Sequence, residues 1–193
     1  MHGFDCSENG AWVVGGDDGA VIIFESMKEQ SQILSALQIE QKLERMVHEL
    51  IERLYPSRQF ILVGIQGNGS VISERLAQGL QAVGDVEVSL MRLQMNKQRP
   101  YQEPPQWDGD VRMFKGKQVV LVDDVVHSGR TLMAAASFIM QHEPKSLTTV
   151  VLVDRYHRKY PIHADVVGLT LSTNLREHIE VDMGSTAGAY LVG

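Results

Sequence analysis

The stretch Val119-Val120-Leu121-Val122-Asp123-Asp124-Val125-Val126-His127-Ser128-Gly129-Arg130-Thr131 decides how this chain is read. Its first four residues are apolar, three of them β-branched, which predicts a strand buried on both faces. Two adjacent carboxylates, Asp123 and Asp124, stand where that strand is expected to end. A short loop then carries two hydroxyls, a glycine and an arginine into an alanine-rich helix predicted over residues 132–141. Open α/β sheets bind ligands where strand ends feed helix N-termini, and the free N–H groups there suit phosphate. The element predicts a phosphate on the Ser128-Gly129-Arg130-Thr131 loop, with a diol or a metal ion beside the two aspartates. Capping by Asp124 or Ser128 would explain one polar residue, but not two carboxylates followed by a hydroxyl-Gly-Arg-hydroxyl loop. A buried strand ending in Asp-Asp also suits an ATPase, which needs a Gly-Lys-Ser or Gly-Lys-Thr phosphate loop. Neither tripeptide occurs in the chain.

With 193 residues the chain can form one ordinary domain with a full core. The composition is globular, 44% apolar and 22% charged, with no apolar run near the ~18 residues that mark a membrane helix. Cys6 is the lone cysteine, so no internal disulfide can form, and no secretory signal is recognised; a cytoplasmic location is the expectation. A net charge of −6 argues against a broadly basic nucleic-acid face. Residues 1–26 differ from the rest, holding five of the 17 glycines and the pair Asp17-Asp18. They read either as a hairpin turning at Asp17-Asp18-Gly19 or as a flexible tail. The domain proper is expected over residues 27–193.

Elsewhere, apolar residues recur at three- and four-residue steps over residues 31–54. That predicts an amphipathic helix, interrupted near residues 35–38 and ended by Tyr55-Pro56. Strands are expected over residues 60–65, 86–93, 119–122 and 148–153, a helix over 71–80, and a loop over 97–109. The alternation predicts an α/β fold: a mostly parallel, twisted sheet flanked by helices. The turn Gln66-Gly67-Asn68-Gly69 invites a dinucleotide reading, but Ile72 stands where the third glycine or alanine is needed. His157 and His163, six residues apart and without cysteine, do not make a zinc pattern.

The Asp123–Thr131 pattern resembles the phosphoribosyl-pyrophosphate (PRPP) signature of type I phosphoribosyltransferases. That resemblance implies a type I fold with a small hood over a base site. It also implies that Asp123 and Asp124 are the catalytic acidic pair on the ribose hydroxyls. His127, Ser128, Gly129, Arg130 and Thr131 would wrap the 5-phosphate, and Gln66, Gly67, Asn68 and Gly69 would form the pyrophosphate loop. Mg²⁺ would enter with PRPP beside Asp123 and Asp124. The chemistry is coherent: carboxylates accept from a diol, and N–H groups and hydroxyls give charge-assisted bonds to phosphate.

Residues 45–53, 62–65 and 152–168 further resemble the PyrR family, bacterial proteins that join uracil phosphoribosyltransferase activity to pyrimidine-sensing RNA binding. The likeness implies PRPP with uracil or UMP as ligands, a homo-oligomer such as a dimer, and no membrane partner. It places base binding at Arg155, Asp165, Val166 and Val167, the last three forming the hood. The chain departs from the family in three places. Gln66 and Asn68 stand where a lysine and an arginine are usual, which weakens pyrophosphate stabilisation. Met95-Asn96-Lys97-Gln98-Arg99 replaces the Tyr-Arg-Asp-Asp lead into the mobile loop, making Lys97 and Arg99 the candidate cations there. Glu40 and Gln41 replace the paired arginines tied to RNA binding, so RNA is not expected as a partner. The expected activity is transfer of ribose 5-phosphate from PRPP to uracil. The alternatives are a PRPP or nucleotide sensor with little catalysis and, less favoured, an RNA attenuator.

Overall fold

The computed structural model describes residues 30–156, 158–172, 177–185 and 187–193, together with the strand backbones Trp12–Gly15 (β1) and Val21–Phe24 (β2). β1 and β2 pair antiparallel, with Trp12 opposite Phe24. The Asp17-Asp18-Gly19 turn, the rest of residues 1–29 and His157 lie outside the described residues.

Gln30–Ser35 is a strand (β3) and Ala36–Leu54 a helix (α1). The single helix expected over residues 31–54 is thus corrected in its first turn. Ser35 marks the switch, because it is an N-cap rather than a helical residue. Its Oγ accepts from the Gln38 N–H at 3.4 Å while the Gln38 Oε1 accepts from the Ser35 N–H at 2.8 Å, a reciprocal capping box. The helix ends at Leu54, before Tyr55-Pro56, as its sequence predicts.

The next elements follow in chain order: Gln59–Ile65 (β4), Asn68–Val83 (α2), Glu87–Gln94 (β5), Gln106–Trp107 (β6), Gln118–Val126 (β7), Arg130–Met140 (α3), Ser146–Arg155 (β8), Val166–Leu171 (β9), His178–Asp182 (β10) and Gly188–Val192 (β11). Six strands make the central sheet in the order β6-β5-β4-β7-β8-β9. All neighbours are parallel except the short β6. A second, antiparallel sheet of order β10-β11-β3 forms the hood.

β7 is the axis of the fold. Val119, Val120, Leu121 and Val122 are all 0% exposed, as a strand covered on both faces requires. Val120 and Val122 pack with α1 and α2, for instance Leu50, Ile72 and Leu76. Val119 and Leu121 pack on the opposite side with Leu132, Ala135 and Ile139 of α3 and with Phe114. β7 does not end at Val122, as expected, but continues through both aspartates to Val126. Parallel pairing with β8 persists there: Asp123 lies opposite Val151 and Val126 opposite Asp154.

The hood is also placed differently from the expectation. Val166 and Val167 belong to β9, the edge of the central sheet beside β8. Asp165 immediately precedes that strand, its carboxylate accepting from the Thr149 N–H and Oγ1–H, each at 2.8 Å. The hood reading follows from the family resemblance, whereas parallel pairing to β8 places Val166 and Val167 at the edge of the central sheet.

Gly64 tests this packing. A Cβ there would stand 2.5 Å from the Ser73 Oγ and 2.6 Å from the Ser70 Cα, where β4 touches α2. Gly64→Ala should therefore destabilise the domain by about 2–3 kcal/mol through overpacking, read as a lower urea midpoint at unchanged slope.

Candidate active site

The C-terminal end of β7 opens on a cavity of about 600 Å³. It is lined by the β7-to-α3 turn from Asp123 to Leu132, by Ile179, Glu180 and Val181 of β10, and by Lys97. The strand-end rule for open α/β sheets is satisfied.

The two aspartates differ sharply in environment. Asp123 is buried, with 4% of its side chain exposed, and Lys97 Nζ donates to its Oδ1 at 3.0 Å. Its burial, reinforced by the adjacent Asp124 carboxylate, pushes the Asp123 carboxyl up to about 7, and Lys97 offsets this only in part. Asp124 accepts from Lys97 Nζ at 3.5 Å and from Asn68 Nδ2 at 3.0 Å. Its burial alone would raise it, but the Lys97 charge and hydrogen bonds with Asp123, Asn68 and Val125 hold it below the ordinary carboxylate range. Burial likewise opposes the charge on Lys97, yet Asp123 and Asp124 hold its ammonium above the usual lysine value. Two neighbouring carboxylates with opposite shifts are what burial and one shared cation produce.

The phosphate-loop candidates lie together. His127, Ser128, Gly129, Arg130 and Thr131 all line the cavity. Gly129 is the N-cap of α3 and sits at φ 84, a left-handed conformation that glycine adopts without strain. Ser128 Oγ accepts from the Arg130 N–H at 3.3 Å. The first turn of α3 carries N–H groups without intrahelical acceptors, an arrangement that suits an anion. A second layer holds it: the N–H groups of Lys159 and Tyr160 both donate to the Ser128 carbonyl, at 3.0 and 3.1 Å. His127 Nδ1 stands 3.4 Å from the Arg155 guanidinium. Desolvation, followed by the Arg155 charge, pushes the imidazole below its ordinary pKa.

The remaining expected residues divide. Asn68 joins the site through Asp124, and Arg155 through His127. Gln66 is exposed on the β4-to-α2 turn, and its N–H donates to the Leu93 carbonyl at 2.8 Å. Gly67 is the N-cap of α2, and Gly69 lies against Val122 and Asp123. Arg99 is turned away, 3.5 Å from the Gln102 Oε1 in a turn organised by Asn96. Asp165, Val166 and Val167 are held in the sheet and do not line the cavity.

Sequence reasoning missed Ile179, Glu180 and Val181. Their signal was the alternation His178-Ile179-Glu180-Val181-Asp182, polar and apolar by turns, which is the period of a half-buried strand. Ile179 points into the core at 3% exposure. No group of three or more His, Cys, Asp or Glu residues suited to a metal ion occurs among the described residues. None of the described helices is long and apolar enough to cross a membrane.

Residues 29–185 match the family model for the phosphoribosyl transferase domain. The chain is 36% identical over 166 residues to the bifunctional protein PyrR of Enterococcus faecalis, covering 83% of this chain and 93% of that protein. It is equally identical, over 169 residues, to the bifunctional protein PyrR of Bacillus mycoides, with 83% and 94% covered. A solved hypoxanthine-guanine phosphoribosyltransferase from Bacillus anthracis superposes with a TM-score of 0.68 at 20% identity, over 88% of this chain and all of that one. At that identity the last likeness speaks for the fold alone. With the family model matched over most of the chain and these relatives at 36% identity, on this sheet, the chain belongs to the type I phosphoribosyltransferase family, as a PyrR-like member.

Proposed function

We propose that the protein transfers ribose 5-phosphate from PRPP to uracil, forming UMP and releasing pyrophosphate. The observation that carries this is the placement of Asp123, Asp124 and the Ser128–Thr131 turn on one wall of a single cavity. A diol and a phosphate at the two ends of one ribose would meet acceptors at one end and donors at the other. In the transfer, the bond from ribose C1 to the pyrophosphate oxygen breaks and a bond from C1 to the base nitrogen forms. The electron pair leaves on pyrophosphate, and the base nitrogen gives its proton to solvent. No nucleophile is required of the protein; positioning and electrostatics supply the rate.

Uracil is supported by the PyrR resemblance over residues 152–168, although the base contacts move. Ile179, Glu180 and Val181 are the wall we assign to the base, in place of Asp165, Val166 and Val167. Arg155 acts from the rim through His127. Mg²⁺ fits the acidic pair in one way only: two carboxylates are too few for a dedicated cage, but enough for an ion that keeps its waters and phosphate ligands. Bound with PRPP, the ion would neutralise charge on the leaving pyrophosphate. Residues 1–26 are read as an extension outside this chemistry.

One observation favours a second reading, a PRPP or nucleotide sensor. Lys97 already bridges the acidic pair, and the pyrophosphate turn carries neutral Gln66 and Asn68. Calorimetry separates the two: tight binding of PRPP or UMP without uracil-dependent pyrophosphate release selects the sensor. RNA attenuation is the least supported, given the net charge of −6.

The double substitution Asp123→Asn with Asp124→Asn should lower kcat/KM by about a thousandfold or more with the fold retained; full uracil conversion by that variant rejects the assignment. The buried carboxyl also sets a pH dependence. With Asp123 titrating at about 7, its acceptor form is lost as pH falls, so kcat/KM for PRPP should decline below about pH 7. A flat profile from pH 6 to 8 contradicts this. Stability runs the other way. The folded state holds this proton more tightly than the unfolded chain, whose value is 3.8. Stability is therefore lost as pH rises from 3.8 towards about 7. Asp123→Asn should melt above wild type at pH 8, and the gap should close near pH 4.

A further inference from the structure

We propose that Arg158 is a positioning residue for the phosphate turn: its guanidinium clasps the connection between β8 and β9, and that connection holds Ser128 and Gly129 in place. The inference rests on the phosphoribosyl-transfer reading and gives residues 158–163 a task toward the 5-phosphate rather than toward the base.

Arg158 lies just beyond the end of β8, and its side chain turns back onto that strand. Its Nη2 donates to Oδ2 of Asp154, and its Nη1 meets Nδ1 of His163. Asp154 is the β8 residue opposite Val126, which stands immediately before the phosphate turn. The Arg158 and Asp154 side chains are 13% and 6% exposed. Asp154 Oδ1 and Arg158 Nε are buried without a hydrogen bond among the described residues. Each charge therefore depends on the other, because a lone charge at that depth is costly. The fork of one guanidinium thus grips residues 154 and 163 together.

The residues directly after Arg158 carry the contacts to the turn. The N–H groups of Lys159 and Tyr160 donate to the Ser128 carbonyl at 3.0 and 3.1 Å. Ile162 Cγ2, the Tyr160 carbonyl oxygen and Tyr160 Cβ stand 3.0, 3.4 and 3.5 Å from where a Cβ on Gly129 would be. The far end of the segment is pinned separately. Thr149 Oγ1 donates to the His163 carbonyl at 3.1 Å, and the Asp165 N–H donates to the Thr149 carbonyl at 2.8 Å. Arg158 supplies the pin at the near end. Arg158 does not itself line the cavity, whereas Ser128 and Gly129 do. The peptide unit is planar, so a fixed Ser128 carbonyl also fixes the direction of the Gly129 N–H. An anion site built from backbone N–H groups depends on such directions.

The double substitution Asp154→Asn with Arg158→Met removes both charges together, so no buried carboxylate is stranded and the fold is kept. Hydrogen exchange at the Lys159 and Tyr160 amides should accelerate about tenfold, with residues 119–122 still protected. The KM for PRPP should rise about tenfold while kcat and the KM for uracil hold, because a phosphate contact is lost equally from ground and transition states. His163→Ala, at an exposed residue, removes one arm of the fork and should move both readings the same way by less; it decides the matter if the double variant does not fold. Unchanged exchange at residues 159 and 160, or an unchanged PRPP KM, overturns the proposal. So does an equal loss for PRPP and uracil, which marks general damage. If the wild type binds PRPP without turnover, its Kd from calorimetry replaces the KM. Wild-type protein that binds neither PRPP nor UMP overturns the transfer reading instead, and the exchange measurement then judges the clasp alone.

Discussion

A carboxylate placed inside a buried parallel sheet must be neutralised or paired, since an isolated charge there is too costly. Asp123 meets this in both ways. It lies in β7 next to the fully buried Val122, its carboxyl is drawn towards protonation, and Lys97 lies 3.0 Å away. The pair is not a device for stability; breaking such a pair costs about 3–5 kcal/mol because of the charge left behind, while an apolar replacement is often neutral. Its presence in a strand buried on both faces therefore has no explanation in stability. Asp124, one residue on and more accessible, keeps its charge. The strand thus delivers two acceptors of different strength to one cavity.

The anion side is built by the opposite means. No buried cation is needed, because the chain turns at Gly129 and starts α3 with unsatisfied N–H groups. What such a turn lacks is rigidity, and the segment after β8 provides it. Two N–H groups converge on the Ser128 carbonyl, and Tyr160 and Ile162 pack against Gly129. A side chain at position 129 would meet the Ile162 Cγ2 at 3.0 Å as well as suffer the left-handed backbone. Burial and charge hold the acidic pair; backbone geometry holds the turn that follows it.

Much of this was legible before the structure. The run Val119–Val122 is buried on both faces because its pattern allows nothing else, and the cluster after it did reach one cavity. The rest is set by partners outside the local sequence. Val166-Val167 and Ile179-Val181 are short segments whose periodicity does not say which sheet each joins. That choice is made by pairing partners far away in sequence: β8 for the first, β11 for the second. Likewise, residues 31–35 have helical spacing but are drawn into a strand by pairing with β11, and only the Ser35 cap betrays the boundary. Arg99 and Lys97 were equivalent as sequence, and the turn at Asn96 sends one inward and the other out.

The departures from the PyrR pattern now form a connected set. Where the resemblance leads one to expect cations on the β4-to-α2 turn, Gln66 faces solvent and Asn68 is committed to Asp124 and Val181. The positive charge facing the acidic pair comes instead from Lys97, which follows β5. An arginine at position 68 would compete with Lys97 for Asp124, and its guanidinium would not reproduce the neutral amide's simultaneous grip on a carboxylate and a backbone carbonyl. The neutral turn, the inward lysine and the tethered β10 strand are consequences of one another. A single cation serves two carboxylates, and the side chain freed from that duty holds the hood.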